Sequence, residues 1–131
     1  MKQILIVGAG GFVGRHLVQE CKKRNIEFFE ITRKDYDSET NKLRPNLLKD
    51  FVPTSVIFCL GPTPARNLLD MEINLLLAFN MVEEISSWQI ELEGFTYISS
   101  DAVYGGNNQL ISVDTKPYAQ DLHGAMHLSR E

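Results

Sequence analysis

The chain has two cysteines among 131 residues, Cys21 and Cys59. That is too few for a disulfide framework. Each falls in an apolar segment, which points to free thiols buried in a reducing, cytoplasmic setting. Only three histidines occur, His16, His123 and His127. The last two have His-x-x-x-His spacing, but Gly124-Ala125-Met126 stands between them where a zincin helix carries a glutamate. No cysteine or acidic cluster completes a metal set, so no metal is expected. No apolar run approaches the ~18 residues of a membrane span, and no membrane contact is expected. Blocks of lysine and arginine are also missing. Thirteen basic residues against 17 acidic ones leave a net charge of −4 and a pI of about 5.4. That balance argues against a general electrostatic surface for nucleic acid. There is no repeat and no low-complexity linker. Met1 leads straight into an apolar strand with no charged leader or small-residue cleavage site, so no signal peptide is expected. The length favours one domain over 1–131.

What is present alternates between strand-like and helix-like segments. Lys2–Val7 is continuously apolar, as a strand buried on both faces is. Phe12–Arg24 carries Phe12, Val13, Leu17, Val18 and Cys21 near helical spacing. Glu27–Thr32 reads as a second strand and Arg33–Lys42 as loop. Leu43–Phe51 reads as a short helix with Pro45 in its first turn. Ser55–Leu60 reads as a third strand, stopped hard by Gly61-Pro62. Ala65–Trp88 reads as one long helix, apolar nearly all round, which predicts burial on two sides. One side would be the sheet, and the other needs a partner chain or a further domain. Phe95–Ser99 is a fourth strand, Asp101–Lys116 a loop, and Ala119–Arg130 a last helix. A further edge near Tyr36 is conceivable as a vestige. The alternation predicts right-handed βαβ units in a doubly wound parallel sheet of three layers, α/β/α, a truncated Rossmann-type fold. Ligands of such sheets bind beyond the carboxyl ends of the strands.

Four glycines within residues 7–16, "VGAGGFVGRH", follow the first strand. Gly8, Gly11 and Gly14 are spaced G-x-x-G-x-x-G between strand and helix. Gly8 suits a sharp turn, Gly11 lets the backbone approach a pyrophosphate, and Gly14 lets the helix pack on the strand. Phe12 and Val13 then open the helix, whose N–H groups and positive dipole end face the phosphates. The second strand ends in Thr32, Arg33 and Lys34, where many NAD binders carry an acid. An arginine there accommodates a 2′-phosphate. The choice tilts to NADP, with NAD the other form. His16 reads as a packed or surface residue. Asp101 and Tyr104 fit either an active-site loop or simple loop packing.

On these residues the chain resembles the extended short-chain dehydrogenase/reductase family, and more narrowly its sugar-nucleotide epimerases, dehydratases and dTDP-4-dehydrorhamnose reductase-like enzymes. The resemblance runs over nearly the whole chain. "ILIVGAGGFVGRHLV" is similar to the family's nucleotide loop. "ITRKDYD" is similar to its second strand end and implies an adenine contact at Asp37. "VIFCLG" implies that Leu60 and Gly61 flank the cofactor, and Asn74 falls where the family keeps a structural asparagine. "YISSDAVYGG" is the most specific stretch. It implies Ser99 at the cofactor and Ser100 on the reacting hydroxyl or carbonyl. "DTKPYAQDLHGAMHLSRE" resembles the stretch that bears the Tyr-x-x-x-Lys pair, but places His123 at the tyrosine and His127 at the lysine position. Residues i and i+4 share a helix face, and imidazole is a competent acid/base near neutrality. Imidazole is also shorter than phenol, so its nitrogen extends less far toward a substrate. Two readings stay open. One is an NAD(P)-dependent enzyme on a nucleotide-linked sugar, of which this would be the N-terminal cofactor-binding half. The other is a non-catalytic NAD(P)-binding module or redox sensor. The family's habit of pairing through two helices implies a homodimer.

Overall fold

A computed structural model describes residues 2–61, 64–106 and 110–131. Strands β1 (Gln3–Val7), β2 (Glu27–Ile31), β3 (Ser55–Phe58) and β4 (Gly94–Tyr97) form one parallel sheet in the order β2-β1-β3-β4. Val7 lies in register with Ile31 on one side and Phe58 on the other. From β1 the chain first passes through α1 (Phe12–Lys23) to β2, then crosses back to lay β3 on the far side of β1. That reversal opens a crevice at the carboxyl ends of β1 and β3, where open α/β sheets bind ligands.

The chain divides into two compact units, Met1–Gly61 with Asn80–Ile98, and Pro62–Phe79 with Ser99–Glu131. The first holds the whole sheet. Burial concentrates toward the carboxyl ends of its first two strands, where Leu5, Ile6, Val7 and Ile31 are fully buried. Ile4 and Ile6 turn toward α1, packing with Val18 and Cys21. Leu5 and Val7 alternate to the opposite face and are equally buried, so the sheet is covered on both sides. The second unit carries the turn Asp101–Tyr104 and helix α3 (Leu122–Arg130). Asp121 caps α3 by accepting from the Gly124 N–H at 2.7 Å.

Helix α2 (Leu68–Ser87) is shorter at both ends than its apolar run. Asn74, Leu77, Ala78 and Met81 form a buried stripe at i, i+3, i+4, i+7. Leu69, Leu76, Phe79 and Val82 are exposed. Among the described residues, nothing covers the second apolar side foreseen from the sequence. No helix among the described residues is long and apolar enough to cross a membrane.

One expected element does not form. Leu43–Phe51 is not a helix. Leu43 makes an isolated antiparallel bridge with Tyr36, and the residues after it run through turns. Asn46 adopts φ +62°, and a left-handed residue directly after Pro45 ends any helical turn before it propagates. The edge imagined near Tyr36 reduces to that single bridge. Tyr36 itself is buried and its Oη donates to Met81 Sδ at 3.5 Å. The remaining boundaries move by a few residues, and Arg33–Asp35 and Asp101–Tyr104, expected as loop, each form one 3₁₀ turn. Pro62, half of the expected stop, lies outside the described residues.

Gly14 is the contact that lets α1 lie on β1. A Cβ built there would fall 2.1 Å from the Gly8 carbonyl oxygen. Gly10 differs, since a Cβ there meets nothing nearer than 3.9 Å. Gly14→Ala is accordingly expected to destabilise the chain by about 1–3 kcal/mol, a fall in Tm of roughly 4–12 °C. Gly10→Ala should leave Tm unchanged within about 2 °C. Thermal melts followed by circular dichroism decide it, and equal Tm values for the two variants would refute the packing role of Gly14.

Candidate functional site

Three strand ends of the first unit converge through their backbones. The N–H groups of Gly8 and Ala9 both donate to the Ile31 carbonyl, at 2.8 and 3.0 Å. Cys59 N–H donates to the Val7 carbonyl at 2.8 Å, and the Cys59 thiol approaches the same oxygen at 3.2 Å. Burial holds both thiols above their ordinary pKa, with Glu20 adding to the effect at Cys21. Gly8 sits at φ +97°, and a Cβ there would meet the Leu60 backbone at 2.7 Å. Glycine is thus required at Gly8 twice over, for its dihedral and for the strand end passing beneath it. The Gly11 N–H returns to the Gly8 carbonyl at 3.0 Å and closes the bend.

Beyond that bend α1 begins without protection. Its N-cap is Gly11, no side chain caps it, and its first turn holds no acid. The first N–H groups of a helix have no partner within the helix. Here they lie beside Gly10, Gly11, Phe12 and Val13, all exposed. His16, one turn on, is engaged with its own helix through the Phe12 carbonyl at 2.8 Å and the Phe12 ring. Bare amides, a positive dipole end and no competing carboxylate are the donor set a diphosphate needs. These residues fit the phosphates of a dinucleotide.

The end of β2 is organised by an acid that the sequence reading passed over. Asp35 accepts from Thr32 N–H at 2.7 Å and from its hydroxyl at 2.9 Å. The Thr-x-x-Asp spacing is that of a capping box and would have pointed to it. Arg33 is exposed, and one of its Nη2 protons goes to the Asn41 side-chain oxygen at 3.1 Å. Asp37 is folded into its own turn. Its Oδ1 accepts from the Thr40 N–H, the Thr40 hydroxyl and the Glu39 N–H. Those bonds, the Thr40 amide foremost, hold its carboxyl below the usual aspartate range. Leu60 is buried at the end of β3, and Gly61 follows it, exposed, with open space on its Cβ side.

The second unit gathers the other candidates. Ser99 is exposed and its hydroxyl donates to Glu131. Ser100 caps the turn after β4, accepting from Ala102 N–H at 3.2 Å and donating to Asp101 at 3.3 Å. That turn includes Tyr104, half-buried. Gly124 lets α3 approach it, since a Cβ there would stand 2.4 Å from the Ala102 carbonyl. On α3 the rings of His123 and His127 meet edge to face at 4.6 Å. His123 Nδ1 accepts from the Ala65 N–H at 3.4 Å, which leaves the ring proton on Nε2. His127 is pushed down to about 4 by burial, helped by the neighbouring His123 and Arg130 and opposed by Glu131. It is neutral at neutral pH. The structure thus divides the candidates: Gly8, Gly11, Phe12, Val13, Gly14, Thr32, Arg33, Asp37, Leu60 and Gly61 in the first unit, Ser99, Ser100, His123 and His127 in the second.

The model of the NAD dependent epimerase/dehydratase family matches residues 4–128. No curated protein sequence matches the chain. Among solved structures, the chain is similar to RMD from Pseudomonas aeruginosa complexed with NADPH, at 25% identity and a TM-score of 0.71, covering 99% of this chain and 47% of that one. It is also similar to a dTDP-4-dehydrorhamnose reductase from Clostridium acetobutylicum, at 25% identity and TM-score 0.73, covering 98% and 47%. A UDP-galactose 4-epimerase shares the fold at 16% identity and TM-score 0.77, covering 98% and 49%. The chain spans about half the length of these relatives. With a match that runs from the first strand into the last helix, the chain belongs to the NAD dependent epimerase/dehydratase family.

Proposed function

We propose that this chain binds NAD(P) through its first unit, as one nucleotide-binding domain of an epimerase, dehydratase or reductase that acts on a nucleotide-linked sugar. The open first turn of α1 carries the proposal, with bare amides from Phe12 onward and no cap or acid to compete. When bound, the nicotinamide takes and returns a hydride. The protein's residues bind and orient. The first-turn amides would hold the diphosphate, Thr32 and Asp37 would border the adenosine, and Leu60 and Gly61 would wall the cofactor. Arg33 would meet a 2′-phosphate, which favours NADP over NAD. The capping of Thr32 by Asp35 supports that choice, because it ties up an acid at the strand end that a ribose hydroxyl would otherwise engage.

In the second unit, Ser99 would border the cofactor and Ser100 would hold the reacting sugar oxygen. His123 would give or take a proton at Nε2, because its Nδ1 is already engaged by Ala65. One observation favours a second reading. A neutral His127 supplies no fixed positive charge to its helical neighbour. Without it the chain would be an NAD(P)-binding module or redox sensor.

Binding is tested by titrating the chain with NADH and NADPH and following nicotinamide fluorescence. Val13→Glu adds an acid to an exposed position in the first turn. It should keep or raise Tm, because helix N-termini welcome acids, yet weaken both nucleotides by at least about tenfold. A folded sample that takes up neither form sinks the proposal. Turnover separates the two readings, using UDP-, GDP- and dTDP-sugars with product analysis. Turnover that disappears in His123→Ala supports the enzyme. Binding without turnover, with turnover gained in the His123→Tyr, His127→Lys double variant, supports the module.

The His127 shift also predicts a pH dependence. Its folded pKa of about 4 lies below the unfolded 6.5, so the unfolded chain binds more protons between these values. Stability contributed by the neutral ring is full above pH 6.5 and is lost as pH falls toward 4. Between pH 7 and 4.5 the Tm of the unaltered chain should fall further than that of His127→Gln. Parallel acid profiles for the two would disprove the shift.

A further inference from the structure

The loop after β2 is fastened more firmly than an exposed loop requires. Asn41 is only 8% exposed and takes φ +54°, a conformation asparagine tolerates better than most residues. Its N–H donates to the Asp37 carbonyl at 3.0 Å. From α2, Asn80 Nδ2 donates to the carbonyls of Thr40 at 3.2 Å and of Asn41 at 3.1 Å. The Asn41 side-chain oxygen is spent on Arg33, whose Nη2 donates to it at 3.1 Å. All of these residues belong to the first unit.

We propose that Asn41, braced by Asn80, positions the Arg33 guanidinium and so sets how strongly the site prefers an adenosine nucleotide bearing a 2′-phosphate. This deepens the dinucleotide reading and rests on it. The choice of holder matters physically. Among the described residues both ion pairs run to Glu20, so no carboxylate neutralises Arg33. A neutral amide oxygen restrains the side chain while leaving its full charge and its other N–H donors for an anion. A long exposed arginine otherwise loses much conformational freedom when it closes on a phosphate, and an arginine already restrained loses less. A carboxylate at the same place would restrain it equally but offset its charge. Asn41 is a positioning residue here, since it acts through Arg33.

The test titrates the full chain with NADPH and NADH, which differ only in the 2′-phosphate. Asn41→Gly removes the side chain and keeps the left-handed backbone accessible. It should weaken NADPH by about three- to tenfold, the net worth of one ordinary hydrogen bond, and leave NADH within twofold. In an Arg33→Ala background the same substitution should change neither affinity. Asn41→Asp keeps the acceptor and the turn but adds a negative charge, and should also lower the NADPH preference. It serves as the deciding variant if Asn41→Gly does not fold. An unchanged NADPH-to-NADH ratio in both variants overturns the proposal, as does an equal loss of both nucleotides, which would mark Asn41 as merely structural. Preference for NADH in the unaltered chain overturns it too. Failure of the folded, unaltered chain to bind either nucleotide overturns the dinucleotide reading itself, a different result from binding with an unresponsive ratio.

Discussion

Helix α1 reaches its seat on β1 only because Gly14 has no side chain between it and the Gly8 carbonyl. Everything at the carboxyl edge of the sheet depends on that contact. It fixes the angle at which the helix leaves the bend and aims its first amides outward. Those amides stay open because Gly11 cannot cap them and nothing acidic follows. The bend is held from below by two bonds to the Ile31 carbonyl and by the Leu60 backbone passing under Gly8. Three strand ends are thereby tied into one platform, mostly through backbone bonds, with the Cys59 thiol adding one to the Val7 carbonyl.

The charge pattern around this platform is consistent with an anionic ligand. The acid at the end of β2 is turned back onto Thr32, and Asp37 is absorbed in its own turn. Arg33 is restrained by an amide oxygen and keeps its charge. In the second unit the logic is different. Burial keeps His127 neutral, and the His123 ring meets it edge to face.

Legibility differed from element to element for physical reasons. The strands and α1 could be read because continuous burial and helical spacing leave periodic marks. The glycine bend could be read because Gly8 and Gly14 stand where a Cβ would strike the backbone of another segment. The short helix expected over Leu43–Phe51 failed because its composition permits a helix, while the left-handed Asn46 and the Tyr36–Leu43 bridge forbid one. Asp35 left a readable trace in its spacing from Thr32. Asn41 left none, since a loop asparagine is ordinary until its burial and its partners are known.

The sequence by itself determined the parallel α/β layering, the family and the position of the glycine bend, since all three follow from local periodicity and the steric needs of backbone turns. It also determined that histidines stand at 123 and 127. Only the tertiary structure decided that His127 is desolvated and neutral, that Asp35 is spent on a cap, and that Arg33 is held by Asn41 from eight residues away. Those outcomes depend on burial and on contacts between separate segments, which no single stretch of chain encodes.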